Sequence, residues 1–291
     1  MNVVPQFRIR DLYEKYGHLL WEDNKHGQNA GAFLHEIENI TQRNGVDYRQ
    51  NAAVDAIITD LRRKGNSNAT INRKLAAYFK LLRKAERDGL IMKLPAYVRL
   101  PEKKGRIRFL SPQEEERLFS SMKARSEQCF RLCEFLVDTG ARVGEALSLK
   151  HADISENSAT FWITKSGRSR TVPLTKRANA ALARYAANPV GPFSNVQYQK
   201  LRYHWGEVKK TCALDADKEL VLHTLRHTCA TRLVKAGIDL RRVQMFLGHQ
   251  TIQMTLRYAH LATKDLDQCA LALERQLENK GADSEPTLEE A

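Results

Sequence analysis

The sequence predicts a mainly α-helical protein of the α+β class, with two domains and a small antiparallel β-sheet in the second. Its 291 residues suit two domains at roughly 150 residues each. Apolar residues recur at helical spacing through most of the chain, and two strand-like runs flank a glycine-containing turn between residues 159 and 174. The 42% hydrophobic content is typical of a globular rather than a disordered protein.

Residues 1–94 are expected to form a helical domain. Between Thr70 and Asp88 the apolar residues follow a helical period, and Gly89 is placed to end that helix. Residues 95–110 mix proline, glycine and basic residues without any regular period, which predicts a basic linker.

A second domain is predicted for residues 111–280. It opens on a capping box in which Ser111 is followed by proline and, three positions on, by Glu114. The runs 159–164 and 169–174 are rich in β-branched and aromatic residues and predict a hairpin.

The chain from about Thr175 onward is again mostly helical in pattern. It includes a helix at 222–233 and two short helices that meet at Gly248. After Asp265 an amphipathic helix is expected, and the acidic tail 281–291 is expected to be disordered.

The positive charge of the chain is concentrated. Of 47 Lys and Arg against 34 Asp and Glu overall, residues 61–110 hold 15 against 3, while residues 251–291 hold 4 against 8. Such a block favours a polyanionic partner, because Lys and Arg release counterions from phosphates. Nucleic acid is the first expectation, and a solvated basic surface or an anionic membrane contact is the alternative. The basic residues expected at DNA are Arg73, Lys74, Lys80, Arg83, Lys84, Lys103, Lys104, Arg106, Arg108, Arg168, Arg241 and Arg242.

Neither a membrane span nor a secretory signal is predicted. No apolar run reaches about 18 residues, and the first residues lack a basic stretch followed by an apolar one. The protein is therefore expected in the cytoplasm, associated with the nucleoid of a prokaryotic cell, with its five cysteines reduced.

Several side chains suit phosphate chemistry. His223 and Arg226 share a helix face at i, i+3 spacing, and Arg142 follows a Thr-Gly helix end with Glu145 three residues later. Guanidinium groups neutralise a phosphorane transition state, a cation protonates a leaving alkoxide, and a hydroxyl attacks. The candidates are Arg142, Lys165, His223, Arg226, His249 and Tyr258, with Glu145 in support.

Metal-dependent chemistry is not expected. These residues include no carboxylate pair suited to Mg²⁺, which weakens a two-metal nuclease interpretation. Cys229 lies near His223 and His227, but no second ligand pair follows at zinc spacing. The main alternative is a regulator without catalysis, in which the helices that meet at Gly248 form a helix-turn-helix.

Five motifs together resemble the tyrosine recombinase (phage integrase) family. They stand in the family's order within residues 111–262 and read TGARVGEAL (139–147), TKSGRSRTVPL (164–174), HTLRHTCAT (223–231), LGHQ (247–250) and TLRYAH (255–260). The first hundred residues resemble the family's helical core-binding domain only in pattern and in the stretch 69–75.

The resemblance implies a role for each candidate. Tyr258 would be the nucleophile that forms a 3′-phosphotyrosine, and Lys165 would be the general acid. The other implied roles are phosphate clamping by Arg142 and Arg226, proton transfer by His223, a phosphate hydrogen bond from His249 and support from Glu145. Storage of the bond energy in the phosphotyrosine implies that neither metal, ATP nor any other cofactor is needed.

The resemblance also implies double-stranded DNA sites as partners and a homotetramer on DNA, joined by exchange of the C-terminal helix. Packing of that helix on its own domain is the alternative. Accessory DNA-bending or directionality factors belong to the same expectation. Integration and excision of a mobile element is the first expected role, resolution of chromosome or plasmid dimers the second, and DNA relaxation without partner exchange the third.

Overall fold

The structure, a computed structural model, describes residues 7–102, 105, 107–162, 169–262 and 273–274. The chain divides into two compact units, Met1–Gly105 and Arg106–Ala291. The predicted helix after Asp265 and the acidic tail 281–291 lie outside the described residues, apart from 273–274.

The first unit is a bundle of four helices around one apolar core. The helices are α1 (Ile9–Leu20), α2 (Lys25–Arg43), α3 (Asn51–Arg63) and α4 (Asn68–Arg87). All three of the others pack against α4, whose buried stripe includes Ile71, Leu75, Tyr78 and Leu82.

The helix α4 begins and ends at clear sequence signals. The Ser67 hydroxyl accepts a hydrogen bond from the Thr70 N–H at 3.3 Å, which satisfies one free donor of the first turn. At the other end Gly89 has φ +73°, and the next N–H, from Leu90, donates to the Ala85 carbonyl at 2.9 Å. The predicted helix and its glycine stop are confirmed.

The segment after α4 lies against the first unit. Leu94, Tyr97 and Leu100 pack on its core, and the Asn72 amide donates to the Leu100 carbonyl at 2.9 Å. On the other side of the unit boundary, Leu110 belongs to the core of the second unit. The boundary thus falls inside residues 95–110, and the functional assignment of the two units stays a prediction.

The second unit is also mainly helical, with α6 at its centre packed against α5, α8 and α10. Its helices are α5 (Pro112–Arg125), α6 (Glu127–Thr139), α7 (Val143–Leu147), α8 (Lys176–Ala183), α9 (Tyr198–Thr211), α10 (His223–Lys235), α11 (Leu240–Leu247) and α12 (Ile252–Leu256). Short 3₁₀ turns lie at His151–Asp153 and Ala259–Leu261.

A three-stranded antiparallel sheet completes the second unit, in the order β1 (Ile154–Ser155), β2 (Ser158–Phe161) and β3 (Arg170–Pro173). The pairing of Ala159 with Val172 sets the β2–β3 register and turns both side chains into the core. The predicted α+β class is confirmed. The strand β1 was not predicted, and residues 163–168 between β2 and β3 lie outside the described ranges.

Among the described residues, no helix is both long and apolar enough to cross a membrane. The four described cysteines are buried and carry free thiols: Cys129, Cys133, Cys212 and Cys229.

Candidate active site

The corner between α6 and α7 forms one wall of the site. Gly140 ends α6 with φ +60°, and a Cβ there would lie 2.5 Å from a Leu247 methyl carbon. Arg142 is the N-cap residue of α7, and its guanidinium donates to Glu145 Oε1 at 2.6 Å. The Arg142 side chain is 30% exposed, so the corner holds a guanidinium at the surface beside a buried carboxylate.

Glu145 bridges two arginines. Besides Arg142 it accepts a hydrogen bond from Arg170 Nη2 at 2.7 Å, and its side chain is only 8% exposed. Burial alone would raise the pKa of this carboxyl, but the ion pair with Arg170 and the bonds from Arg142 outweigh it and lower the pKa to about 2. Glu145 is therefore ionised near neutral pH.

Arg170 is a site residue that sequence reasoning missed, because it reads as the first residue of a strand. Its side chain is 7% exposed, lies over the Phe161 ring at 4.7 Å and donates from Nε to the Phe246 carbonyl at 3.1 Å. A Cβ on Gly248 would lie 2.8 Å from Arg170 Cδ. Arg170 thus joins β3 to Glu145 and to the end of α11.

Arg226 connects the α6–α7 corner to the end of α11. Its Nη1 donates to the Gly140 carbonyl at 2.6 Å and its Nη2 to the Leu247 carbonyl at 2.7 Å. Burial, followed by the charges of Arg142 and Arg170, lowers the pKa of this guanidinium. Arginine still stays protonated, and the described residues supply no partner for its other three N–H groups.

His249 lies in the turn after α11. Gly248 ends that helix with φ +66°, and His249 Nδ1 lies 2.8 Å from the Thr255 hydroxyl of α12. Burial, followed by the positive charges of Arg226 and Arg142, lowers the pKa of the imidazole to about 3. The ring is therefore neutral near pH 7 and can donate a hydrogen bond without adding charge.

His223 begins α10 and is exposed. The part of the ring that is covered by neighbouring protein is desolvated, and this desolvation, followed by the charges of Arg226 and Arg142, lowers its pKa. One helical turn along, the ring of His227 lies edge-on to it with the centroids 4.8 Å apart.

Tyr258 lies just after α12 and is only 2% exposed. Its ring packs in a small apolar cluster with Val243 and Leu247. Its hydroxyl lies 2.6 Å from His227 Nδ1, and burial raises the pKa of the phenol. His227 was not predicted as a site residue. The signal available was its i+4 spacing from His223, which places both rings on one helix face.

Taken together, the side chains from α7, β3, α10 and the α11–α12 turn enclose a region of high positive charge. The guanidiniums of Arg142, Arg170 and Arg226 outnumber the single carboxylate of Glu145, and the imidazoles of His227 and His249 are neutral near pH 7. Such a region suits a bound phosphate group. A match to a known family decides what kind of site this is: residues 108–265 match the phage integrase family.

The chain belongs to the phage integrase family. It is similar to the tyrosine recombinase XerC of Bacillus licheniformis, with 33% identity over 260 residues that cover 80% of this chain and 82% of that one. It is also similar to the integrase of Escherichia phage P2, with 28% identity over 270 residues, 91% of this chain and 77% of that one. The expected tyrosine recombinase is therefore confirmed as the enzyme class.

Two solved integrase structures share the fold. The Tn1549 transposon integrase in complex with transposon right end DNA superposes with a TM-score of 0.73 at 20% identity, over 93% of this chain and all of that one. A lambda integrase dimer bound to a COC′ core site gives 0.72 at 17% identity, over 88% of this chain and 78% of that one.

Two predicted site residues of this tyrosine recombinase, Lys165 and Arg168, lie outside the described residues, as do Lys103, Lys104 and Arg106. The described part of the chain contains no group of three His, Cys, Asp or Glu side chains arranged to hold a metal ion.

Among the other residues predicted to contact DNA, most are at the surface. Arg73 and Arg83 of α4 are exposed and have no ion-pair partner among the described residues. Lys80 lies over the Trp21 ring at 4.9 Å, and Lys84 pairs with Asp88 at 2.7 Å. Arg241 and Arg242 are exposed near the start of α11, where Arg242 pairs with Asp239.

Lys74 and Arg108, which were also predicted to contact DNA, are instead bound to carboxylates in this structure. The Lys74 side chain is 9% exposed and its Nζ lies 2.6 Å from Glu36, because it projects from the buried side of α4. Arg108 is 22% exposed and is bound between Glu114 at 2.5 Å and Asp217 at 2.8 Å. Both charges are already neutralised by carboxylates within their own unit.

Proposed function

We propose that this enzyme cuts and rejoins double-stranded DNA at specific sites, through a 3′-phosphotyrosine on Tyr258. The observation that carries the proposal is the common placement of Arg142, Arg226 and His249. The Arg226 guanidinium donates to the carbonyl of Gly140, two residues before Arg142, and to the carbonyl of Leu247, two residues before His249. Three phosphate-binding side chains are thus joined through one buried guanidinium.

The proposed cleavage step divides the work among these groups. Arg142 and Arg226 bind the non-bridging oxygens of the scissile phosphate, and His249 donates a third hydrogen bond. The Tyr258 oxygen gives up its proton, which His223 takes in its proton-transfer role, and forms a bond to phosphorus while the bond to the 5′ oxygen breaks. Lys165 supplies the proton to that leaving oxygen, with His223 assisting proton transfer. Glu145 holds Arg142 in place.

Rejoining reverses these roles on a second duplex. A 5′-hydroxyl of the partner DNA attacks the phosphotyrosine and releases Tyr258, so the energy of the broken bond is kept. Two such rounds produce and then resolve a Holliday junction. A homotetramer on DNA, linked through the C-terminal helices, is part of the proposal, with accessory DNA-bending or directionality factors as further partners.

Integration and excision of a mobile element is the first proposed role. The similarity to the phage P2 integrase, which extends over 91% of the chain, supports it. Resolution of chromosome or plasmid dimers is the second, supported by the higher identity, 33%, to a XerC protein. Once a DNA site is known, a comparison of two recombination rates separates the roles. One is the rate between two sites on one plasmid, and the other is the rate between sites on two plasmids.

Covalent capture tests the proposal. Wild type and Tyr258→Phe are incubated with nicked duplexes that carry randomised sites, with EDTA and without ATP, and denatured before electrophoresis. A denaturant-resistant complex with wild type alone is the expected result. Equal DNA binding by both proteins without any covalent complex would instead indicate a regulator of the helix-turn-helix kind.

A further inference from the structure

His227 has no role in the cleavage step as proposed, yet its ring lies within hydrogen-bond distance of the hydroxyl of Tyr258, the proposed nucleophile. It directly follows Arg226 on α10, and its Nδ1 lies 2.6 Å from the Tyr258 hydroxyl. The Tyr258 side chain belongs to a buried apolar cluster that includes Val243 and Leu247. The hydroxyl is therefore the polar end of an otherwise apolar side chain, and His227 is its hydrogen-bond partner among the described residues.

The protonation states fix the direction of this bond. Burial raises the pKa of the Tyr258 phenol, so the hydroxyl keeps its proton. Burial, followed by the neighbouring His223 and the charge of Arg257, lowers the pKa of His227 to about 4, so its ring is neutral. The phenol consequently donates and Nδ1 accepts, which places the ring proton of His227 on Nε2.

A phenol that donates to His227 has its rotation about the C–O bond fixed. Its proton points to Nδ1, and the lone pairs of the oxygen are directed away from His227. In-line attack requires a lone pair of this oxygen to face phosphorus, and small errors in such orientation slow a reaction strongly.

We propose that His227 is a positioning residue that orients the hydroxyl of Tyr258 for attack. This inference rests on the proposed function, since it assigns the orientation of the nucleophile named there. His223, one turn away on the same helix face, keeps its separate proposed role in proton transfer.

An isosteric pair of variants tests the inference. Asparagine and leucine have the same branching, and the asparagine Oδ1 takes the place of Nδ1 as an acceptor, whereas leucine offers none. His227→Leu is expected to slow single-turnover cleavage of a nicked duplex by about 10-fold or more. His227→Asn is expected to recover most of the rate, with DNA affinity unchanged in both.

His204 provides a matched control. It is a partly buried histidine of α9 whose ring nitrogens have no partner among the described residues. His204→Leu and His204→Asn should cleave at the wild-type rate. Thermal melts of all four variants show whether any loss of rate comes from unfolding.

The outcomes separate this inference from the proposed function. If wild type forms no covalent complex, the proposed function fails and takes the inference with it. If wild type cleaves, a folded His227→Leu protein that cleaves as fast or faster overturns the positioning role alone. Equal slowing by His227→Asn and His227→Leu overturns it too, because loss of the ring rather than of the acceptor would then be the cause.

Discussion

At the residue scale, the Arg142 guanidinium donates one hydrogen bond to Glu145, and the Arg142 side chain is 30% exposed. Arg142→Ala is expected to reduce single-turnover cleavage by about 100-fold or more, because it removes charge that neutralises the transition state. Arg131→Ala is a matched control, since Arg131 is an ion-paired arginine of similar exposure, 26%, on α6. Near-normal cleavage by Arg142→Ala would contradict the clamp.

Glu145 gives a pH dependence at the same scale. Its pKa falls from the ordinary 4.5 to about 2 on folding, so its ion pairs stabilise the fold fully above pH 4.5. That contribution, about 3 kcal/mol at most, is lost as the pH falls from 4.5 towards 2. Urea unfolding of wild type and Glu145→Gln at pH 7, 4 and 3 should show a difference in free energy that shrinks with acid. A constant difference would mean that Glu145 does not stabilise through its charge.

At the scale of elements, the turn between α11 and α12 depends on Gly248 for two reasons. Its φ is +66°, and a Cβ would meet Arg170 Cδ at 2.8 Å. Gly237 has φ +79° but open space around a Cβ, so it isolates the backbone cost of an L-residue at positive φ, roughly 1–2 kcal/mol. Gly248→Ala is therefore expected to lower the free energy of unfolding more than Gly237→Ala, and to slow cleavage. Equal effects of the two variants would show that the Arg170 contact is unimportant.

Elements whose signals are local were predictable from the sequence. The capping box at α5 forms as expected, with Glu114 N–H donating to the Ser111 hydroxyl at 3.1 Å and Ser111 N–H donating to the Glu114 carboxylate at 2.9 Å. The α4 helix and the turn at Gly248 likewise follow from residues within one or two turns.

Contacts between distant elements were not predictable in this way. Arg170 lies 25 positions from Glu145, and Tyr258 lies 31 from His227, so only the folded chain brings each pair together. The ion pair of Lys74 could not be predicted from local sequence either. Helical spacing places Lys74 beside α4's apolar stripe, but its partly exposed carboxylate partner, Glu36, comes from another helix. The two-residue strand β1 is too short to show any period.

At the scale of the whole molecule, the net charge of +13 should govern DNA binding. Affinity is expected to fall steeply with salt, and Arg83→Ala should reduce the slope of log K against log salt by about 1. Lys84→Ala, at the next position, should change it less, because Lys84 already pairs with Asp88 at 2.7 Å. Fluorescence anisotropy over a salt series measures both. A flat salt response would contradict a basic DNA-binding surface.

The central claim is that Tyr258 attacks a DNA phosphate and becomes covalently joined to the 3′ end of the cut strand. The most direct test is mass spectrometry of the covalent complex after nuclease and trypsin digestion, together with labelling of the released DNA by a 5′-hydroxyl kinase. Cleavage after Arg257 and Lys264 should yield the peptide 258–264 with a 3′-linked nucleotide on Tyr258, and a free 5′-hydroxyl on the released fragment of the same strand. A nucleotide on another residue, or a 5′ linkage, would contradict the account.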